Sequence, residues 1–332
     1  MNASWACSPS APAWSWDVPE EAVTQVQRVL ALKTFDVFRS LAPQELAALA
    51  EHAKPRQFSA GAILQRAGVP ARTLHFILQG DVELVQKESV MARLGPQDVV
   101  GGLSALIGDE QTNFARAVVE TTTLQLHRED LLDVFEDNFS VLLGVLRTLA
   151  GAQLSARRKL GPHAGFSAAQ SGAPPSSSGA ITELGLVEKL FHLRGALDFA
   201  ETRVEALADL AQDAKVVRRA AGEVLWNVGD LSEHNALLLE GVIAGSNEDP
   251  AQYFEFGPGA LVGGIDSLAA EPRWYRAIAK EPITALYIRT QHLLDVIEDD
   301  VEFAMDMLRV FARTLRTLQA ELPEVPESQP LV

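Results

Sequence analysis

The stretch AGAILQRAGVPARTLHFILQG, residues 60–80, returns 161 residues later as AGEVLWNVGDLSEHNALLLEG, residues 221–241. Without a gap, Gly61 falls on Gly222, Leu64 on Leu225, Gly68 on Gly229 and Gly80 on Gly241. The register extends backward to Phe38 on Phe199, Leu46 on Leu207 and Leu49 on Leu210. One inserted residue later, Gly95-Pro96 meets Gly257-Pro258, Gly101-Gly102 meets Gly263-Gly264, and Leu131–Val134 meets the identical run Leu293–Val296. Glycines in register carry most weight, because each marks a backbone position that a side chain would disfavour. The chain therefore contains one domain twice.

Between the copies lies LGPHAGFSAAQSGAPPSSSGA, whose Gly, Ser, Ala and Pro cannot build a core and read as a flexible linker. The expected organisation is a flexible segment 1–22, a first domain 23–159, a linker 160–182, a second domain 183–322 and a disordered tail 323–332. Within each copy, apolar residues at helical spacing (Val26, Val29, Leu30; Val187, Leu190, Phe191) predict a first helix, and a second begins near Pro43 or Thr202. Short apolar runs punctuated by glycine predict a small β-roll, and a helical tail follows, Leu131–Arg158 or His292–Glu321. In the second tail Phe303, Met307, Val310, Phe311, Leu315 and Leu318 trace one stripe. The fold class is α+β: two tandem β-rolls of jelly-roll type, each flanked by N- and C-terminal helices.

Composition narrows the function. A formal net charge of −16 argues against nucleic acid and anionic membrane as partners, since phosphate contacts need clustered Lys and Arg. The single cysteine, Cys7, makes no intrachain disulfide and points to a reducing compartment. The N-terminus lacks the layout of a secretory signal, and no window holds ~18 uninterrupted apolar residues. The expected location is the cytoplasm. The seven histidines show no metal-binding spacing, and no nucleophile or phosphate-loop motif of an enzyme occurs.

This order of features resembles the cyclic-nucleotide-binding domain family, as found in the catabolite activator protein and in protein kinase A regulatory subunits. Leu32–Leu41 with Glu45-Leu46 resembles the family's entry helices. Ala60–Leu64 with Gly68, and Ala221–Leu225 with Gly229, resemble its first hairpin, and Phe76–Val82 its central strand and turn. The resemblance covers Val23–Ser155 and Gly185–Leu322, and it implies a phosphate-binding cassette. There a strand ends in Phe-Gly-Glu, a short helix points its N-terminus at the cyclic phosphate, and Pro-Arg follows. The Glu accepts from the ribose hydroxyl and the Arg donates to the phosphate.

In this chain the second copy has Gly263 at the Gly position, Gly264 in place of Glu, and Pro272-Arg273 in place. The first copy has Gly101 and Gly102, and its counterpart of Arg273 is Gln111 or Thr112, according to where a gap falls. Loss of a hydrogen bond to a charged group, ~1.5–3 kcal/mol, weakens binding roughly 10–100-fold. The candidate ligand residues are thus Gly263, Gly264, Ile265, Asp266, Arg273 and Trp274, with Gly101, Gly102 and Gln111 as a degenerate set. Arg273 is read either as a phosphate ligand or as an ordinary partner of a carboxylate such as Glu271. Asp266 is either a substitute ribose acceptor or a helix-start residue. Trp274 and Tyr275 either stack on a base or fill the mouth of the roll, filling being expected because large aromatics gain most from burial.

The expected function is a non-enzymatic regulatory protein, with the second domain as a weak or altered site for cAMP, cGMP or another anion and no cofactor. The alternative is a scaffold in which both rolls have lost ligand. A protein partner, or a homodimer through the C-terminal helices, follows from either. No helix-turn-helix is expected beyond the second closing helix.

Overall fold

The computed structural model describes residues 23–39, 41–87, 89–111, 113–160, 184–196, 199, 202–247 and 253–321. The segment 1–22 with its three tryptophans and Cys7, the linker beyond Leu160, the tail 323–332 and Thr112 lie outside the described residues.

The first copy opens with α1 (Gln25–Leu32), started by a reciprocal capping box between Thr24 and Gln27, and α2 (Pro43–His52), with Pro43 in its first turn. Eight strands follow: β1 (Lys54–Phe58), β2 (Ile63–Gln65), β3 (Thr73–Gln79), β4 (Val82–Gln86), β5 (Ser89–Leu94) and β6 (Val99–Val100), then α3 (Gly102–Ile107), β7 (Phe114–Ala117) and β8 (Thr121–His127). Helices α4 (Arg128–Asp137) and α5 (Phe139–Leu160) close the copy. The second repeats this order: α6 (Leu186–Gly195), α7 (Val204–Asp213), β9 (Lys215–Arg219), β10 (Val224–Trp226), β11 (His234–Glu240), β12 (Ile243–Ser246), β13 (Tyr253–Phe256), β14 (Leu261–Val262), α8 (Gly264–Ala269), β15 (Arg276–Ala279), β16 (Ile283–Arg289), α9 (Thr290–Asp299) and α10 (Val301–Glu321).

Each roll consists of two four-stranded antiparallel sheets, β1-β8-β3-β6 with β2-β7-β4-β5 and β9-β16-β11-β14 with β10-β15-β12-β13. Even the irregularities coincide. The ladder slips between Ile77 and Gln79 in one copy and between Leu238 and Glu240 in the other. The turn that follows needs glycine in both: Gly80 and Gly241 have φ of 89° and 86°, and a Cβ at either would collide with the backbone opposite.

The helical tails differ from the uninterrupted runs expected from sequence. Each is broken at one short polar residue, Asn138 or Asp300. Asp300 Oδ1 accepts from the Phe303 amide at 3.0 Å and so starts α10. The first helices form where the spacing predicts them. Val26, Leu30, Val187 and Phe191 have helical spacing but are exposed.

By packing, the described residues form two units. The first runs to Phe35, then from Ala42 to Gly102 and from Glu110 to Leu131. The second takes Asp36–Leu41, Leu103–Asp109 and everything from Leu132 on. The first unit is centred on buried Leu46, Leu49, Phe76, Leu124 and Leu126, with Phe35 edge-on to Phe76 at 5.1 Å. In the second unit α5 packs along α10 and α8. The buried Gln153 amide of α5 donates to Phe311 O of α10 at 2.8 Å. Helix α5 is long and apolar enough to cross a membrane by length and composition, yet more than half of its most apolar window is buried inside the protein. The stripe on α10 is buried as well, apart from half-buried Val310.

Candidate functional site

The loop between β14 and β15 keeps the shape that its sequence implied. Gly263 precedes α8 with φ of 83°, and Gly101 precedes α3 with φ of 82°. Two backbone hydrogen bonds in each copy fix the alignment of the loops. Gly229 N donates to Arg273 O at 2.8 Å and Gly68 N to Gln111 O at 2.8 Å; Arg273 N donates to Asp230 O and Gln111 N to Val69 O, both at 2.9 Å. Gln111 is therefore the counterpart of Arg273.

Arg273 is 2% exposed, and both of its terminal nitrogens are engaged while its buried Nε has no partner. Nη1 donates to Gly263 O at 2.7 Å and to Asp266 Oδ2 at 3.1 Å, and Nη2 donates to His234 O. The guanidinium lies over the Trp226 ring, 4.3 Å from its centroid. The glycine at 263 admits this arginine, because a Cβ there would collide with the guanidinium. Asp266, 2% exposed, is the internal counterion. Burial pushes its carboxyl up to about 6, against the attraction of Arg273. Glu271 does not pair with Arg273; its Oε2 meets Arg158 Nη2 at 2.7 Å. Ser267 fastens α8 from below, through Asn235 Oδ1 at 2.6 Å and Thr290 Oγ1 at 3.0 Å. Ile265 is half-buried. Gly264 stands at the position where the resemblance implies a ribose-binding carboxylate, and a Cβ there would come within 2.8 Å of Leu261 Cδ2.

The interior of the second roll is filled with rings. Tyr275, 2% exposed, contacts Phe254, Trp226 and Phe256 at centroid distances of 5.1, 5.7 and 5.9 Å. Trp274, half-buried, leans on Phe254 at 5.4 Å. A cross-strand pair makes the room. Gly245 of β12 lies opposite Phe254 of β13, and a Cβ on Gly245 would come within 2.2 Å of that ring. The equivalent pair in the first copy is Leu84 and Ala92. The first roll's interior is aliphatic instead: Ile77, Val82, Val100 and Ala115, with Leu64, Leu84 and Leu94 packed on them.

In the first copy Gln65 and Gln111, both buried, take the places of Trp226 and Arg273. A Cβ on Gly101 would meet Gln65 Nε2 at 2.7 Å, so an amide reaches toward this loop where the second copy has a guanidinium. A cavity of about 370 Å³ adjoins Arg273, lined by Leu225, Trp226, His234, Asn235 and Tyr287 but by no residue of α8. Among the described residues no three His, Cys, Asp or Glu side chains are grouped to hold a metal ion.

The family profile described as Cyclic nucleotide-binding domain matches residues 55–138 and again 216–300, together just over half of the chain. The chain belongs to the cyclic nucleotide-binding domain family. It is 26% identical over 119 residues to a CRP-like cAMP-activated global transcriptional regulator of Mycobacterium tuberculosis, a match covering 34% of this chain and 53% of the relative. It is 30% identical over 106 residues to the cyclic AMP receptor protein of Thermus thermophilus, covering 30% and 49%. The match spans about half the length of these curated relatives. Among solved structures it is similar to the regulatory domain of Toxoplasma gondii PKA with cAMP, with 14% identity, 90% and 97% coverage and a TM-score of 0.33. In family terms, then, the chain holds two cyclic nucleotide-binding domains in tandem, of the type used by regulators.

The structure brings Gly263, Asp266 and Arg273 into direct contact, with Gly264 beginning the helix between them. Three residues that contact Arg273 or Trp274 were not marked by the sequence as neighbours of this loop: Trp226, Phe254 and Arg158. Gly245 carried the one available signal, since a glycine inside a strand marks a close approach.

Proposed function

We propose that this protein is a cytoplasmic, non-enzymatic regulator whose two cyclic nucleotide-binding domains act through protein contacts, with neither roll enclosing a nucleotide. One observation carries this reading: the interior of the second roll is occupied by Phe254, Phe256 and Tyr275, packed against Trp226. Admitting a ligand there exposes side chains whose burial contributes about 1.5–3 kcal/mol each. It also draws Arg273 away from Asp266 and two carbonyls. The return is one charge-assisted contact of about 1.5–3 kcal/mol, without a carboxylate for the ribose. In the first copy the arginine is absent altogether.

Surfaces for protein contact are available. Val187 and Phe191 of α6 are 63% and 64% exposed, and Val26 and Leu30 occupy the same places on α1. The stripe on α10 is a poorer dimer face, because α5 of the same chain packs along that helix.

Retention of Arg273 beside a cavity favours a second reading, a weak anion site in the second domain. Thermal melting with millimolar cAMP or cGMP separates the two. The proposed reading expects an unchanged melting temperature. A dose-dependent rise that disappears in Arg273→Gln establishes the second reading instead.

A further inference from the structure

We infer that the closing helices of the two copies are exchanged latches: α5 holds the loop after α8, α10 holds the loop after α3, and the two loops are coupled through the α5–α10 pair. All of these contacts lie inside the second packing unit.

Arg158, in the last turn of α5, places Nη2 2.7 Å from Glu271 Oε2. Its guanidinium also lies 5.5 Å from the Trp274 ring centroid. Arg316 of α10 places Nη2 2.8 Å from Asp109 Oδ2. Asp109 and Glu271 are the same position of the repeat. Each follows a left-handed residue, Gly108 with φ of 84° or Ala270 with φ of 55°, that ends the short helix. The chain thus uses one acidic position twice, and each time the arginine comes from the closing helix of the other copy. The arginines themselves are not repeated. In register, Arg316 falls on Leu154, one turn before Arg158. The two bridges are therefore separate solutions to one requirement rather than a copied detail.

Between the bridges, α5 and α10 are locked by the 2% exposed Gln153, whose amide donates to a backbone carbonyl of α10. A buried polar side chain leaves a helix pair little freedom to slide, since another register leaves it unsatisfied. Movement of the loop after α8 must break the Arg158 contacts or carry α5 with it. A shift of α5 is passed to α10 at Gln153 and to Asp109 through Arg316. This device does not depend on whether any nucleotide binds.

Each bridge is partly exposed, so each contributes modestly alone, and the test reads coupling rather than overall stability. Hydrogen exchange is measured on the full chain without nucleotide. Arg158→Glu is expected to speed exchange roughly three- to tenfold at residues 264–271, and to a smaller, measurable extent at 102–109, while 42–52 are unchanged. The charge exchange Arg158→Glu with Glu271→Arg is expected to restore both segments. Faster exchange at 264–271 alone overturns the coupling. No change at 264–271, an equal rise in 42–52, or failure of the exchanged pair to restore overturns the latch. None of these outcomes bears on the ligand-free reading, which the melting experiment tests separately.

Discussion

In the first copy Gln65 and Gln111 occupy the places that Trp226 and Arg273 hold in the second, on loops closed by the same hydrogen bond from Gly68 or Gly229. The backbone of the cassette does not need the charge. It needs glycine where φ is positive, and a polar group that can lie in a closed space. Where that group is a guanidinium, a ring face and a carboxylate accompany it. Where it is an amide, Asp266 is replaced by Ser104 and the ring by Gln65. The arginine of the second copy therefore comes with its own counterion.

The largest expected effect of breaking this difference is in Arg273→Ala. It removes three hydrogen bonds and leaves Asp266 an unpaired buried carboxylate, which costs about 3–5 kcal/mol in urea unfolding. Importing the first copy's chemistry as Trp226→Gln, Asp266→Ser and Arg273→Gln is expected to recover more than half of that loss.

Next comes the interior. Gly245→Leu drives a side chain into the Phe254 ring and is expected to cost about 1–3 kcal/mol. Adding Phe254→Ala, which recreates the Leu84–Ala92 pair of the first roll, is expected to relieve most of it.

The two copies also respond oppositely to acid. His75 of β3 is buried between the hydroxyls of Thr73 and Thr123. Burial chiefly, then His127 and Arg56, bring its imidazole down to about 4. Its contribution is complete above pH 6.5 and is lost as pH falls toward 4. Asp266 behaves in the reverse sense. Its carboxyl stands at about 6, above the ordinary 3.8, so its contribution is complete below pH 3.8 and is lost as pH rises through 6. Arg273, Arg158 and Glu271 are the charged groups that act on it. Urea unfolding between pH 4 and 7 is expected to show His75→Gln and Asp266→Asn changing the pH slope in opposite directions.

The smallest effect concerns helix termination. Ala270 adopts the left-handed conformation that Gly108 adopts in the first copy. Ala270→Gly is expected to add about 0.5–1 kcal/mol, the relief of a Cβ clash less the entropy of the unfolded glycine. Gly108→Ala should subtract a similar amount.

The sequence was legible wherever a residue type has one physical use. Glycines 61, 80 and 101 fall on glycines 222, 241 and 263 because each sits at positive φ, and that repetition alone yields the tandem rolls. The identity of Arg273's partner was not legible. Asp266 and Glu271 are both near in sequence, and only the turn at Ala270 decides which carboxylate faces inward. Register across strands was equally hidden, so Gly245 and Phe254, nine residues apart, did not announce themselves as a pair. The spacing of Val26 and Leu30 shows a helix but not which face is buried.

The filled interior of the second roll is tested most directly by calorimetric titration of cAMP and cGMP, at millimolar concentration, into the protein and into Phe254→Ala. The account predicts no saturable heat from the unaltered chain with either nucleotide. Saturable, one-to-one binding to the unaltered chain, abolished by Arg273→Ala in a folded variant, would contradict it.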